Sequence, residues 1–295
     1  MHRNLSVATR AHGAMLLYAF LVSTSFPVGK AIAHQIDPVV VSFLRFLLAS
    51  VVFLVLLAAR ERITIPKAKD MLRYSVISFS IAAFFVLMFE ALKLTTAVKT
   101  GAIFTLLPMT SGLIGFLLMG IRVSGRQIAA LVIGSMGAIW VLFDGSFAAL
   151  MKFELGRGEL IFALGVLLFA AYAPLIKKLH RGESTVALTF WVVASGSVLL
   201  ALYGAPEIIA TDWRAIDWTV YAAVGYLGLF NTAGTFFLAK FASVQLPPAK
   251  VMAYTYLTPG FVVALAIHGD GVPTLSVLAG IGVTILAMVL LQRTT

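Results

Sequence analysis

The chain has 295 residues, of which 61% are hydrophobic and only 12% are charged, and its mean hydropathy is +1.01. Soluble domains carry about 45–50% apolar and about 25% charged residues, so this chain lacks the charge to cover a soluble surface. The absence of cysteine excludes a disulfide scaffold and thiolate metal sites. A net charge of +10 would indicate nucleic acid in a soluble protein, but here the Lys and Arg lie between apolar runs. This pattern predicts a protein that is embedded in the lipid bilayer and does not bind nucleic acid.

Ten apolar stretches follow one another along the chain, each close to the about 20 residues with which a helix crosses a bilayer. Backbone groups in lipid must be hydrogen-bonded within their own segment, and the apolar runs do not alternate as barrel strands would. We therefore predict an all-α, polytopic fold with ten spans, numbered 1 to 10 in chain order: 11–33, 38–59, 72–92, 97–119, 126–144, 158–179, 184–204, 218–239, 247–268 and 273–291.

The first of these stretches follows a basic start, and residues 31–33 are similar to a signal-peptide cleavage site. The run is long for a signal peptide, so we expect this helix to be retained. Positive charges gather on one side of the predicted spans, as in the connection that carries Arg60, Arg62, Lys67 and Lys69. The positive-inside rule then predicts that both termini are cytoplasmic.

The two halves of the chain share motifs in the same order. Spans 1 and 6 both contain P-x-x-K, at residues 27–30 and 174–177, and spans 4 and 9 share Lys, Ala, Leu and Pro at equal spacing within residues 99–108 and 250–259. We predict two five-helix repeats, residues 1–147 and 148–295. Because five is odd, the second repeat enters the membrane from the other side. Inverted repeats of this kind place a binding site near the midplane and permit alternating access.

Motifs for chemical catalysis are missing from the sequence. The Gly29-Lys30 pair lacks the glycine spacing of a phosphate-binding loop, and the five histidines lie at the ends of apolar runs without a metal-binding spacing. We therefore predict no catalytic residues, no metal and no cofactor, and we expect no enzyme activity. ATP-driven pumping by this chain alone is excluded.

Polar and aromatic residues concentrate in spans 1, 3, 4, 6, 8 and 9, although such residues in membrane helices more often serve packing than ligand binding. Asn231 is the amide deepest in any span, and burying it requires hydrogen-bond partners. The predicted cavity-lining residues are Ser23, Ser78, Phe85, Met88, Phe104, Thr105, Phe169, Tyr172, Tyr226, Phe230, Asn231, Tyr254 and Thr255.

Four prolines lie inside predicted spans: Pro27, Pro108, Pro174 and Pro259. Proline removes a helical hydrogen bond, so each is predicted to break or hinge its helix and to free a backbone carbonyl. The freed carbonyls are candidates to accept from a substrate ammonium, with a kink used only for shape or hinging as the alternative. Among the few ionisable groups, Arg45 lies well inside span 2 and either snorkels outward or pairs with Glu90. Acidic residues are absent from the middle of the spans, so proton coupling is unsupported.

Small residues recur four apart in spans 5 and 10, at Ala130, Gly134 and Ala138 and at Ser276, Gly280 and Thr284. Such faces allow helices to approach closely. We predict that they form either scaffold contacts or a dimer face, so that the protein is a monomer or a weak homodimer through spans 5 and 10.

Residues 91–99, followed by Pro108, and the stretch from Ala239 to Pro259 resemble the repeat pattern of the drug/metabolite transporter superfamily, in its ten-helix EamA-type branch. Within that branch the chain is most similar to YddG-type exporters of aromatic and other hydrophobic amino acids. The resemblance covers nearly the whole chain. It implies a bacterial inner membrane location, inverted repeats, and a cavity lined mainly by spans 1, 3, 4, 6, 8 and 9. It also implies efflux of small metabolites.

These observations predict a secondary transporter that exports small amphipathic molecules, foremost aromatic and other hydrophobic amino acids, by alternating access. One alternative is other cargo on the same fold, namely lipophilic cations or drugs, or nucleotide-sugars. A cation exporter would need a buried carboxylate, and a nucleotide-sugar carrier would need a basic cavity. A membrane scaffold or sensor without transport is the alternative of a different class.

Overall fold

A computed structural model describes residues 7–120, 124–152, 155–246, 248–266 and 272–293. All regular structure in these residues is helical, which confirms the predicted fold class. The α-helices, in chain order, are α1 (Val7–Ile32), α2 (Pro38–Ala58), α3 (Ala68–Leu94), α4 (Ala97–Phe104), α5 (Leu107–Met119), α6 (Gly125–Leu142), α7 (Phe147–Lys152), α8 (Arg157–Ala170), α9 (Tyr172–Leu179), α10 (Thr185–Tyr203), α11 (Ala205–Ala210), α12 (Trp218–Gly228), α13 (Thr235–Gln245), α14 (Pro248–Ala253), α15 (Thr258–Ala266) and α16 (Leu275–Arg293).

Within the described residues, nine helical segments are long and apolar enough to cross a membrane. They correspond to nine of the ten predicted spans, with ends within a few residues of the prediction. Residues 248–266 form the remaining predicted span as α14 and α15, joined by one 3₁₀ segment. The ends of that prediction, residues 247, 267 and 268, lie outside the described residues. The two short helices α7 and α11 were not predicted.

Local sequence signals set where the helices begin. Asp37 caps α2 by accepting hydrogen bonds from the backbone N–H groups of Val39 and Val40, with Pro38 at the first helical position. Ser124 opens α6 with a capping box that uses Gln127. These caps satisfy N–H groups that have no partner inside the helix and that would be costly to leave unsatisfied at the membrane boundary.

Four spans are not continuous α-helices. Spans 4 and 6 break between α4 and α5 and between α8 and α9. Span 8 contains a π-helical turn at Leu229–Gly234, and span 9 contains a 3₁₀ turn at Tyr254–Leu257. Three of these interruptions lie just before a predicted helix-breaking proline, and the π-helical turn lies in a segment without proline. Pro27 lies inside α1, which continues through it.

The packing of the spans follows a symmetric scheme. Span 2 packs on span 7, span 4 on span 9, and span 5 on span 10, through α2 with α10, α4 with α15 and α6 with α16. Span 3 packs on span 6, and span 1 on span 8; span 3 also contacts span 7, and span 2 contacts span 8. If the first five spans are exchanged with the last five, each of these pairs becomes itself or another observed pair.

The small residues of spans 5 and 10 face each other within one chain. A Cβ added at Gly137 would lie 2.8 Å from the carbonyl oxygen of Gly280, and one added at Gly280 would lie 2.9 Å from Val141. Ala130, Ala138 and Thr284 are buried. Gly137 and Gly280 therefore let α6 approach α16 closely, whereas Gly134 of the predicted face packs against the Tyr256 ring of span 9. The small-residue faces make scaffold contacts within the chain, and the weak homodimer stays a prediction.

Candidate functional site

A cavity of about 350 Å³ lies between the two halves of the chain. We call the side of the molecule on which α1 begins the amino-terminal side and the other the opposite side. The cavity runs from the middle of the spans, at Phe26, Arg45 and Met88, toward the amino-terminal side, at Met15 and Ser243. Its volume lies at the low end of the about 300–1,000 Å³ of small-molecule sites, so it suits a compact ligand.

An aromatic wall forms one side of the cavity. Phe84 stacks on Phe169 at 4.7 Å between ring centroids, and Phe104 lies beside Phe169 at 6.2 Å. Phe26 meets the edge of Phe104 at 5.6 Å, and all four rings line the cavity. Tyr172 extends the wall, with its ring 5.7 Å from that of Phe169. Because these rings come from spans 1, 3, 4 and 6, the wall is shared between both halves.

A polar network, consisting of Thr24, Ser25, Tyr226 and Asn231, joins span 1 to the π-helical turn. The Asn231 amide nitrogen donates to Ser25 Oγ at 2.6 Å and to Thr24 Oγ1 at 3.1 Å. The Tyr226 hydroxyl lies 2.8 Å from Thr24 Oγ1. The buried amide therefore has the partners that its position requires, and Ser25 and Asn231 face the cavity.

Arg45 is 1% exposed and lines the cavity next to this network. Its Nε donates to Thr232 Oγ1 at 2.8 Å, and its guanidinium lies 4.0 Å from the centroid of the Phe85 ring. The expected pairing of Arg45 with Glu90 is wrong, since Glu90 lies near the end of α3 and its carboxylate is 3.6 Å from Lys93 Nζ. Arg45 does not snorkel outward either, because its side chain is buried.

Seven of the predicted lining residues border the cavity: Phe85, Met88, Phe104, Phe169, Tyr172, Asn231 and Thr255. The other six lie outside its lining. Ser23 and Thr105 donate to the carbonyls of Ala19 and Ala102 in their own helices, both at 2.6 Å. Ser78 is buried where α3 passes Gly196, a position whose missing Cβ leaves room for its hydroxyl.

The remaining three support the cavity or face away from it. Tyr226 lies behind Thr24 in the polar network, and Phe230 is 53% exposed and stacks on Tyr226. Tyr254 bonds His12 Nδ1 at 2.7 Å. The lining also lacks the four predicted helix-breaking prolines, which lie in spans that contribute other residues to it: Pro27, Pro108, Pro174 and Pro259.

Several lining residues escaped the sequence analysis, among them Phe26, Phe84, Ser25, Thr232 and Thr235. Each lies within four residues of a predicted lining residue along the chain, so the helix was selected correctly but the wrong face was chosen at these positions. The helical periodicity of 100° per residue does not separate the cavity-facing side of a helix from its lipid-facing side, because both sides are apolar. The π-helical turn adds a further rotation within span 8.

The two ends of the bundle carry different ionic contacts. On the amino-terminal side, Arg73 pairs with Glu183 and donates to the Leu179 carbonyl. Although burial of the Glu183 carboxyl opposes ionisation, the hydrogen bonds from Arg73 and from the Arg181 N–H lower its pKa from 4.5 to about 2. This contact ties the start of α3 to the turn between α9 and α10.

On the opposite side, a set of contacts joins spans 1, 3, 4, 5 and 6. Lys30 Nζ donates to the carbonyls of Leu92 and Thr95, both at 2.8 Å. Thr95 Oγ1 donates to Glu159 at 2.5 Å, and Lys99 Nζ lies 3.9 Å from Glu159 and 3.1 Å from Asp144. We call Lys30, Thr95, Lys99, Asp144 and Glu159 the latch. It lies beyond the inner end of the cavity and holds the bundle together there.

Comparisons with known proteins agree with this architecture. The sequence model of the EamA-like transporter family matches the chain twice, over residues 9–143 and 156–293. One solved crystal structure superposes with a TM-score of 0.70 at 17% identity, covering 95% of this chain and 96% of that one, which shows a shared fold.

Curated relatives carry transporter names. The chain is 25% identical to "Uncharacterized transporter YetK" of Bacillus subtilis (strain 168), over 83% of this chain and 75% of the relative. It is 23% identical to an "Uncharacterized transporter" of Archaeoglobus fulgidus, over 88% and 89%. It is 26% identical to the "S-adenosylmethionine/S-adenosylhomocysteine transporter" of Chlamydia muridarum, over 70% and 67%. These relatives point to a transporter rather than an enzyme.

Proposed function

This chain belongs to the EamA-like transporter family, and we propose that it is a secondary transporter that exports small amphipathic metabolites, foremost aromatic and other hydrophobic amino acids. The observation that carries this proposal is the central cavity, in which an aromatic wall stands beside a polar network. An apolar side chain would pack on Phe84, Phe104 and Phe169, while the polar end would meet Ser25 and Asn231. A site of this kind combines affinity from apolar contact with orientation from a few polar groups.

The packing scheme supports a proposal of alternating access. Two inverted repeats, residues 1–147 and 148–295, are supported by the two matches of the family model and by the contacts that interchange when the halves are exchanged. We propose that the bundle rocks around the cavity, with the latch closed in the present conformation. With both termini in the cytoplasm of a bacterial cell, the cavity would face the cytoplasm and load substrate for export.

The cavity lining argues against the other cargoes weighed above. Among the lining residues that the structure describes there is no Asp or Glu, so a lipophilic cation would find no counter-charge. Arg45 is the single Lys or Arg in that lining, which is little for the two phosphates of a nucleotide-sugar. A small amphipathic substrate fits this balance of charge better.

S-adenosylmethionine is a second candidate, because a relative bears that name and because the stacked wall of Phe84 and Phe169 would accept a purine as readily as a phenyl ring. It is larger than the aromatic amino acids. We therefore expect the cavity to widen if it is the substrate, whereas phenylalanine needs no such change.

Counterflow in proteoliposomes tests these alternatives. Vesicles loaded with unlabelled substrate are diluted into labelled phenylalanine, threonine, S-adenosylmethionine or a cationic dye, with protein-free vesicles as the control. We expect protein-dependent accumulation of phenylalanine, with or without a pH gradient. Accumulation of S-adenosylmethionine alone would favour the second candidate, and accumulation of none of the amino acids would overturn the proposed function.

A further inference from the structure

We infer that Arg45 is the binding site for a carboxylate group of the substrate, an assignment that rests on the proposed function. Arg45 is 1% exposed, it lines the cavity, and its Nη1 has no hydrogen-bond partner. In the described part of the chain, no carboxylate lies within ion-pair distance of it. A buried guanidinium with a free donor beside a cavity lacks a counter-ion, and the cavity is where a counter-ion would enter.

The cost of this arrangement makes a purely structural role unfavourable. A guanidinium stays charged in proteins, so it cannot avoid the penalty of burial by losing its proton. Its contacts with Thr232 and Phe85 offset part of that penalty, since a cation over an aromatic face is attracted to the electrons of the ring. A packed apolar side chain at this place would avoid the penalty altogether. Intramembrane charges of this kind are functional-site candidates by default.

The surroundings of Arg45 orient a zwitterion. The bond from its Nε to Thr232 holds the guanidinium against the π-helical turn, and Nη1 is left buried without a hydrogen-bond partner. Ser25, Asn231 and Thr235 provide oxygen atoms along the same part of the lining for an ammonium group. An amino acid held at both groups would extend its side chain along the aromatic wall.

This placement defines the substrate class. The ligand must carry a carboxylate, together with an apolar or aromatic body that fits the cavity. Amines, amides and lipophilic cations without a carboxylate would leave the Arg45 donor unsatisfied, and cations would also be repelled by it. The preference between a carboxylate and its amide is therefore a direct measure of the role of Arg45.

A binding experiment tests this without requiring transport. The purified protein is titrated with 3-phenylpropionate, which has a carboxylate and no ammonium, and with 3-phenylpropanamide, its uncharged counterpart, at constant chloride, following thermal stability in detergent. We expect the propionate to bind at least about tenfold tighter than the amide, as a charge-assisted hydrogen bond predicts. In R45Q this preference falls to near unity, whereas R45K retains part of it because it keeps the charge.

R126Q is the matched control, since it removes an exposed arginine at the start of α6 and leaves the same net charge. If R45Q does not fold, R45K and the propionate-to-amide ratio of the unmodified protein still decide the inference. Equal binding of the two compounds, binding of neither, or an unchanged ratio in R45Q overturns it. Phenylalanine counterflow tests the proposed function separately, because transport with equal propionate and amide binding would overturn only the role of Arg45.

Discussion

Phe169 and Phe84 show how single residues define the cavity. Both rings lie on the wall and stack at an interplanar angle of 19°, one from each half of the chain. Stacked rings present a continuous face to a third ring, and an aromatic pair is worth about 0.5–1.5 kcal/mol beyond its buried area. Affinity for an aromatic substrate should therefore depend on this pair more than affinity for an aliphatic one.

We predict that F169A raises the half-saturating concentration for phenylalanine about two- to tenfold in counterflow, because one face of the substrate ring loses its partner. Threonine uptake should change less. F79A is the control, since Phe79 lies in α3 but is 59% exposed. The prediction fails if F169A and F79A change the half-saturating concentration for phenylalanine equally. It also fails if F169A changes the values for phenylalanine and threonine equally, and in either case the aromatic site lies elsewhere.

Glu183 carries the second prediction at this scale. Its pKa is lowered from 4.5 to about 2 by Arg73 and the Arg181 N–H, against the effect of burial. A carboxyl whose folded-state pKa is depressed contributes stability that is present above its unfolded pKa and lost as the pH falls toward the folded value. The contact between α3 and the turn before α10 should therefore weaken in that range.

We expect the apparent Tm of the detergent-solubilised protein to fall between pH 4.5 and about 2, and E183Q to remove part of that dependence. At pH 7, E183Q should already be less stable than the unmodified protein. E207Q serves as the control because Glu207 is exposed in α11. Identical pH profiles for E183Q and the unmodified protein would contradict the prediction.

At the scale of elements, the interruptions of spans 4, 6, 8 and 9 place backbone irregularities around the cavity. The π-helical turn carries Asn231 and Thr232, and the 3₁₀ turn carries Thr255, all of which line the cavity. Irregular backbone is tolerated in membranes where it faces protein or a water-filled space. The interruptions also give the spans places at which to bend, as the proposed rocking motion requires.

In the proposed rocking mechanism, the latch is the set of contacts that opens for the cavity to reach the opposite side. Glu159 connects span 6 to Thr95 and Lys99 of the first half. Neutralising it removes the carboxylate of span 6 that Lys99 faces and leaves Asp144, which belongs to the first half. We therefore predict that E159Q raises the rate at which a cysteine at position 88 is labelled by a membrane-impermeant maleimide added from the opposite side.

The chain has no cysteine of its own, so the maleimide labels only the cysteine that is introduced. M88C places the label at the inner end of the cavity, and E159Q should increase its labelling severalfold. E90Q is the matched control, since Glu90 lies near the same end but its side chain is 42% exposed and contacts Lys93 within its own helix. Equal labelling in M88C with E159Q and M88C with E90Q would show that the latch does not control access.

At the scale of the whole molecule, the interchangeable packing of the halves accounts for a cavity between them. Spans 2 and 7, 4 and 9, and 5 and 10 each pair with their own counterpart across the centre. In the proposed mechanism, a tilt of one half relative to the other exposes either end of the cavity in turn. The proposed inverted orientation of the repeats makes the two ends equivalent.

We predict that the corresponding connections of the two repeats lie on opposite sides of the membrane. Ile65, between spans 2 and 3, is 89% exposed, and Ile209, between spans 7 and 8, is 82% exposed. Cysteines at these two positions should react with an impermeant maleimide from opposite sides of sealed vesicles. Reaction of both from the same side would exclude an inverted repeat and the mechanism built on it.

The sequence by itself determined the helices, because a bilayer demands about 20 apolar residues per span and leaves helix as the form that satisfies the backbone. Motif spacing also indicated the interruptions near Pro108, Pro174 and Pro259. Tertiary structure decided which faces meet, because lipid-facing and cavity-facing residues are equally apolar and no periodic pattern separates them. Thus Phe230 faces outward while Phe84 and Arg45 line the cavity. Only the folded chain, by bringing α2 beside the π-helical turn, leaves Arg45 buried with no counter-ion among the residues that the structure describes.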